Sequence, residues 1–391
     1  MKRLGTIAGA VMALTVCGGS AMGGPQPSEA TARTLVGQCG NIKEGELVLI
    51  TGRPTDMDLL ESIAVNVRKM GAFPIISVGT DRMTRRMWDE VPSKFDAQNN
   101  EMDMKLAGIL NAIISVESTE NPALLADISP DRMAARGKAQ EAAMQASLNR
   151  NVKQVSLGNG MFPTDATAQM YGMDRGALAE VFWSGVNTDY NALQNSGMRV
   201  KTAIESAKNV HITNPNGTDI TFRVQGRPVF VSDGVISKDD MNKGGAACQV
   251  WLPAGEVYSA PVPGTATGKV VIDRMFHQGR EINNITLTFQ NGKLTSMTAP
   301  SGLEPIRALY DAAGPGKDEF AFFDIGINPG VRVPQGSKLL SWVPAGMVTI
   351  GVGTNTWAGG TNACGYSLSG FLPGSTVMVD NDTLVQNGML K

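Results

Sequence analysis

Histidine is nearly absent from this chain: His211 and His277 are the only two imidazoles in 391 residues. That scarcity leaves little material for a histidine-rich metal centre or a histidine general base. A charge excess is missing as well. Lysine and arginine total 34 against 36 acidic residues, a formal net charge of −2. This balance excludes a polybasic surface for nucleic acid or for anionic membranes. Beyond the N-terminus no apolar run is long enough to span a bilayer. No CxxC pair, P-loop, GxGxxG fingerprint or GxSxG elbow occurs. Dithiol redox chemistry, phosphate cradling of those types and an α/β-hydrolase nucleophile are therefore disfavoured.

What the chain does have begins with an export signature. Met1-Lys2-Arg3 is basic, Leu4 to Val16 is apolar, and the small residues "CGGSAMGG" follow. This layout predicts a secretory signal peptide over residues 1–24, with cleavage near Ala21 or Gly23. The mature protein is expected to be periplasmic or secreted, with no membrane insertion. Cys17 opens a lipoprotein alternative, against which Val16 is bulky for a lipidation site. The mature chain keeps Cys39, Cys248 and Cys364. Three is odd, so one at least is unpaired within the chain, and three small buried thiols are the simplest expectation.

Two halves are legible. "GELVLITG", then "DMDLLESIAVNVRKMG", then "AFPIISVG" reads as strand, helix, strand, with Leu59, Leu60, Ile63, Val67 and Met70 on one helical face. A βαβ unit implies a parallel sheet. "AGILNAIISVES" and "KQVSLGN" supply further strands around a helical stretch. Residues 25–198 are thus expected to form an α/β domain. The pattern then changes. "NVHITNPNGTDITFRVQG" alternates around an Asn-Gly turn, a hairpin signal. β-type segments continue to the C-terminus with one helix at "GLEPIRALYDAAG". Residues 199–391 are expected to be β-rich, of α+β type.

Within that second half, "GMVTIGVGTNTWAGGTNACGYSLSGFLPG" (346–374) has the glycine, serine, threonine and asparagine of a functional loop. Yet no charged residue or histidine falls between Lys338 and Asp380. Several ordered motifs explain it. "ENPALLADISPDRMA", "FPTDATAQMYGMD", "HITNPNGTDITFRVQGRP" and "WLPAGEVYSAP" occur in sequence along the chain. Together with the opening βαβ they resemble the thermophilic metallo-aminopeptidase family, the aminopeptidase T type. The resemblance implies release of N-terminal amino acids from peptides by two divalent metals bound in the β-rich domain. It also implies a homodimer and a peptide ligand.

The family's metal ligands are two glutamates, a histidine, and a histidine and aspartate spaced H-x-D. Carried over residue by residue, the first glutamate falls on Glu256. The second, anchored on Gly326, Asn328 and Pro329, falls on Phe322, with Asp324 two residues on as a weak substitute. The lone histidine falls on Thr349 in "GMVTIGVG". The H-x-D pair falls on Ser367 and Ser369 in "SLSGFL". Hydroxyls are poor zinc ligands at neutral pH. The resemblance therefore implies a family frame with most ligands replaced, and no cofactor is expected. If the protein is active, two zinc, cobalt or manganese ions are implied. A silent homologue acting as a binding or scaffold protein is the reading adopted. The alternatives are an active aminopeptidase with an unorthodox site, with Cys364, Glu256 and Asp324 as one conceivable donor set, and an extracytoplasmic structural protein.

Overall fold

The computed structural model describes residues 29–391. The signal-peptide segment lies outside the described residues. The first four strands, β1 (Leu47–Gly52), β2 (Phe73–Val78), β3 (Ala112–Val116) and β4 (Lys153–Leu157), are parallel and joined by helical crossovers. The helix Met57–Lys69 buries Leu59, Leu60, Ile63 and Val67, as the spacing predicts. Met70 does not join them: it caps the helix and is exposed, because Gly71 turns the chain away at φ +77°.

The chain then forms the hairpin of β5 (Asn209–Asn214) and β6 (Thr218–Arg223), a short β7 (Phe230–Ser232) and β8 (Gln249–Leu252). The last of these returns to pair in parallel with β4, so the parallel sheet has the order β2-β1-β3-β4-β8 and draws its final strand from beyond residue 198. After β9 (Glu256–Ser259) come the meander β10 (Thr267–His277), β11 (Arg280–Gln290) and β12 (Lys293–Thr298), the helix Glu304–Ala312, then β13 (Phe320–Gly326) and β14 (Val348–Gly353). Four strands close the chain: β15 (Ser367–Phe371), β16 (Thr376–Val379), β17 (Asp382–Gln386) and β18 (Met389–Leu390).

These make two antiparallel sheets. The larger runs β12-β11-β10-β6-β5-β16-β17-β18 and the smaller β15-β14-β13-β9-β7. The fold is thus an α/β parallel-sheet half followed by a β-rich half. The small sheet packs its back face on the large one through Phe320 and Phe323, whose rings lie 5.1 and 5.0 Å from Phe222. Helix Tyr190–Ser206 closes the β7 end of the same back face. It approaches so closely at Gly197 that a Cβ there would lie 2.5 Å from Val231. With its back face buried in this way, the small sheet turns its front face, and its polar residues, the other way. Cys39 and Cys248 are buried, Cys364 is half-buried, and none of the three forms a disulfide. No helix of the described residues is long and apolar enough to cross a membrane.

Candidate functional site

The front face of the small sheet carries all six residues singled out in the sequence. Side chains directly opposite across a ladder share a face. Gly326 pairs with Glu256 and Asp324 with Tyr258 across β13–β9. Asp324 pairs with Thr349, and Phe322 with Gly351, across β13–β14. Thr349, Gly351 and Gly353 pair in turn with Phe371, Ser369 and Ser367 on β15. Alternation along each strand then puts Glu256, Phe322, Asp324, Thr349, Ser367 and Ser369 on one surface. A register irregularity between Phe320 and Phe322 lets Phe320 point back to the core while Phe322 points forward.

Glu256 is positioned from below. Asn328, fully buried, donates to the carbonyls of Ala254 (2.6 Å) and Gly185 (3.0 Å). Gly255, at φ +131°, runs so close to Asn328 that a Cβ would sit 2.7 Å from its side chain. The tail of β13 therefore clamps the start of β9. Asn159, at the carboxyl end of β4, donates to the carbonyl of Pro253 (2.9 Å). The site thus lies where the end of the parallel sheet meets the front of the small antiparallel one.

Its electrostatics are unusual. Burial pushes the Glu256 carboxyl up to about 7, opposed by the Asn159 amide and by the Asp324 carboxyl. Burial, then the charge of Glu256, holds Asp324 well above the usual carboxylate range. Asp324 is fully buried and the Glu256 carboxyl is its partner, one of the two holding the shared proton, while Thr349 Oγ1 and Ser341 Oγ are buried without a hydrogen-bond partner. No arginine, lysine or histidine acts on either carboxyl.

Phe322 is 1% exposed. Its ring lies 4.7 Å from that of Trp357 and 5.9 Å from that of Trp342. Ala260, Ala321 and Ala358 complete this small cluster. Gly351 opposite must be a glycine, because a Cβ there would fall 1.9 Å from Phe322. Sequence reasoning did not find Trp342, Tyr258 or Phe230 as members of the site. Rings at these spacings have no common period, and only the strand order brings them together.

The remaining candidates lie apart. His211 pairs with Asp219 at 2.8 Å on the exposed β5–β6 hairpin. His277 ends β10 opposite Arg280. Cys364 Sγ donates to the Tyr366 carbonyl at 3.4 Å. Among the described residues no group of three or more histidine, cysteine, aspartate or glutamate side chains could hold a metal ion, so Cys364, Glu256 and Asp324 do not come together as a donor set.

Comparison with known proteins places this geometry. The thermophilic metalloprotease (M29) family matches residues 26–314, a span that includes Glu256 and ends before Phe322. Aminopeptidase AmpS of Bacillus subtilis (strain 168) is 22% identical over 295 residues, covering 69% of this chain and 70% of that protein. The structure of wild-type AmpT from Thermus thermophilus superposes with a TM-score of 0.71 at 16% identity, covering 93% of this chain and 98% of that one. A 2,5-dihydroxypyridine dioxygenase from Pseudomonas putida KT2440 superposes with a TM-score of 0.58 at 13% identity and the same coverage. At such identities the superpositions speak to fold alone, and a frame shared with a dioxygenase leaves function to the site itself.

Proposed function

The chain belongs to the thermophilic metalloprotease (M29) family, and within it we propose that it is a catalytically silent homologue of the dinuclear metallo-aminopeptidases, acting by binding or as a scaffold. Phe322 carries this reading. Where the resemblance asks for the second glutamate ligand, a buried phenyl ring stands between Trp342 and Trp357.

The donors present do not fit a pair of dications. Such a pair calls for several nitrogen, sulfur or carboxylate donors. The site offers two carboxyls, at Glu256 and Asp324, and the neutral hydroxyls of Thr349, Ser367 and Ser369. Burial favours the protonated form of both carboxyls, which weakens them further as ligands. A ring against the same surface also disfavours a desolvated charge. No hydrolytic step is therefore derived through a metal.

One observation favours the competing reading of an active enzyme with an unorthodox site: two buried carboxyls, Glu256 and Asp324, face one another with no cation beside them, as a missing metal would leave them. Metal analysis of the purified protein, together with an assay for metal-stimulated release of amino acids from short peptides, decides between them. The silent reading expects substoichiometric zinc, cobalt and manganese and no activity. Stoichiometric metal that a chelator removes together with peptidase activity would sink it. Export to the periplasm or medium is part of the same proposal, supported by the basic and apolar start of the sequence. N-terminal sequencing of secreted material, expected to begin between residues 22 and 26, tests it.

A further inference from the structure

The parallel sheet ends at β2, and among the described residues no strand pairs with its outer side. The six residues Phe73-Pro74-Ile75-Ile76-Ser77-Val78 run along this edge without one charge. β1 lies on the inner side and helix Met57–Lys69 packs on one face. The N–H groups of Phe73 and Gly79 donate inward, to the carbonyls of Glu46 (2.7 Å) and Gly52 (3.1 Å). Alternation along the strand therefore turns the N–H and C=O of Ile76 and Val78 outward. Side chains alternate between the two faces in the same way. Ile76 is on the helix-covered face and packs against the core. Phe73, Ile75 and Ser77 are on the other face, where Phe73 is 52% and Ile75 58% exposed. An uncharged apolar edge of this length is a template for another strand, and edges that stay unpaired are guarded by charges or bulges.

A second copy of the chain supplies both what the edge lacks in hydrogen bonds and what the bare face lacks in cover. Two β2 strands related by a two-fold axis run antiparallel, and Pro74, which has no N–H, selects the register. An axis through Ile76 would set Pro74 against the partner's Val78 and lose a bond on each side. An axis through Ser77 sets Ile76 opposite the partner's Val78, and Val78 opposite the partner's Ile76, with no proline in the bonded pairs. Ile75 then faces the partner's Gly79. A Cβ on Gly79 would point to the bare face, and Met83 Cε lies 3.8 Å from that point. Helix Asp81–Asp89 therefore turns back over this face, and pairing brings the partner's Met83 onto Ile75. Met83 and Met87, one helical turn apart, are 44% and 50% exposed, and Val78 is 44% exposed. Thioethers fill irregular apolar surfaces well. Side chains of this size present roughly 150–250 Å² in full. Phe73, Ile75, Val78, Met83 and Met87 of two copies thus bring about 900 Å² to the contact, and the strand backbone carries it past the roughly 1,000 Å² of a specific interface. An unrelated strand would satisfy the hydrogen bonds and leave Ile75 bare.

We propose that two copies of this chain join by their β2 edges into one continuous sheet, with the two-fold axis at Ser77 and each helix Asp81–Asp89 laid over Phe73 and Ile75 of the other copy. The contact lies in the parallel-sheet half and is independent of what the face bearing Glu256 binds. A homodimer built on any other surface leaves β2 open, and the test separates the two.

The test combines sedimentation equilibrium of the purified protein with disulfide trapping. Self-association is expected at micromolar concentration. Ser77→Arg sets two like charges against each other on the axis and should weaken that association at least about tenfold. Ser77 is exposed, so the fold tolerates the change. In Ser77→Cys the two thiols meet across a pair that exchanges no hydrogen bonds, with Cα atoms about 4.5 Å apart, within reach of a disulfide. Oxidised glutathione should therefore link this variant into a covalent dimer. Ile75→Cys should not link, because its counterpart lies four residues along the strand, about 13 Å away. Cys39 and Cys248 are buried and Cys364 is half-buried, so the unmodified protein is the control for links through them. A protein that stays monomeric overturns the proposal and leaves the edge to a strand of another protein. A self-association that Ser77→Arg leaves unchanged, or that Ser77→Cys does not trap, overturns it too, because the contact then lies on another surface. Linking of Ile75→Cys in place of Ser77→Cys rejects the register, and with it the placing of Met83 on Ile75.

Discussion

Asp324 stands directly across the β13–β14 ladder from Thr349, whose Oγ1 is buried without a partner, so the buried Asp324 carboxyl meets only the Glu256 carboxyl. A fully ionised carboxylate in that place would be among the most costly groups in the protein. Glu256, diagonal to it on the next strand, shares the difficulty. The two carboxyls therefore hold protons to a higher pH when folded than when unfolded, and their effect on stability has a definite sign.

The folded carboxyls lie above their unfolded values, so the folded state binds more protons in between, and stability falls as pH rises. The contribution is complete below about pH 4, the range of an unfolded carboxyl, and is lost as pH climbs through the value of about 7 at Glu256. Replacing Asp324 by Asn removes one of the two titrating groups. Asp324→Asn is expected to gain about 1–3 kcal/mol at pH 8 relative to its effect at pH 5, the scale of an unpaired buried polar group. Urea unfolding of both proteins at the two pH values measures it. An Asn variant weakened at pH 8 would mean that a charged Asp324 stabilises the fold.

Phe322 and Gly351 are coupled by shape. A Cβ on Gly351 would overlap Phe322 at 1.9 Å. Gly351→Ala is expected to cost about 1–3 kcal/mol by overpacking. Phe322→Ala is expected to cost about 3–5 kcal/mol through the lost ring and its cavity. In the double variant the new methyl enters the space the ring has left. The combined loss should fall short of the sum by about 1 kcal/mol or more, as for residues in direct contact. Additive losses in a double-mutant cycle would show that the strands shift apart instead.

The frame of this site was legible because it is local. The apolar spacing of Leu59, Leu60, Ile63 and Val67 specified a helix, and Asn216-Gly217 specified the β5–β6 turn. The placement of the site was legible only through resemblance. Glu256, Phe322, Thr349 and Ser369 have no periodic relation, and the order β15-β14-β13-β9 makes them neighbours. Two features left no mark in the sequence. The return of Gln249–Leu252 to the parallel sheet is a long-range pairing of a short apolar strand. The aromatic series Phe230, Tyr258, Trp357, Phe322, Trp342 and Phe371 joins residues from four strands and two connecting segments. Sequence spacing reports neither, because both depend on where the strands pair.

Installing the ligands that the resemblance implies is the sharpest test of the proposal that this site is silent. Phe322→Glu alone places a third carboxyl beside Glu256 and Asp324, with no cation to hold it. That variant is expected to lose stability at neutral pH, by like-charge repulsion and by loss of the ring's contacts with Trp342 and Trp357. Thr349→His, Ser367→His or Ser369→Asp alone should recruit no metal, because one added donor still leaves an incomplete shell. Made together, the four substitutions put two imidazoles and two further carboxyls on the face that already bears Glu256. The ligands then act as a set, and a dication offsets the repulsion that the single variant suffers. The quadruple variant is expected to bind zinc, cobalt or manganese stoichiometrically and to be more stable with metal than without, as binding to the folded state requires. Elemental analysis and thermal melts with and without chelator read the two effects separately. A quadruple variant that folds, with all four side chains in place, yet takes up no metal would show that this face does not carry the geometry the resemblance implies.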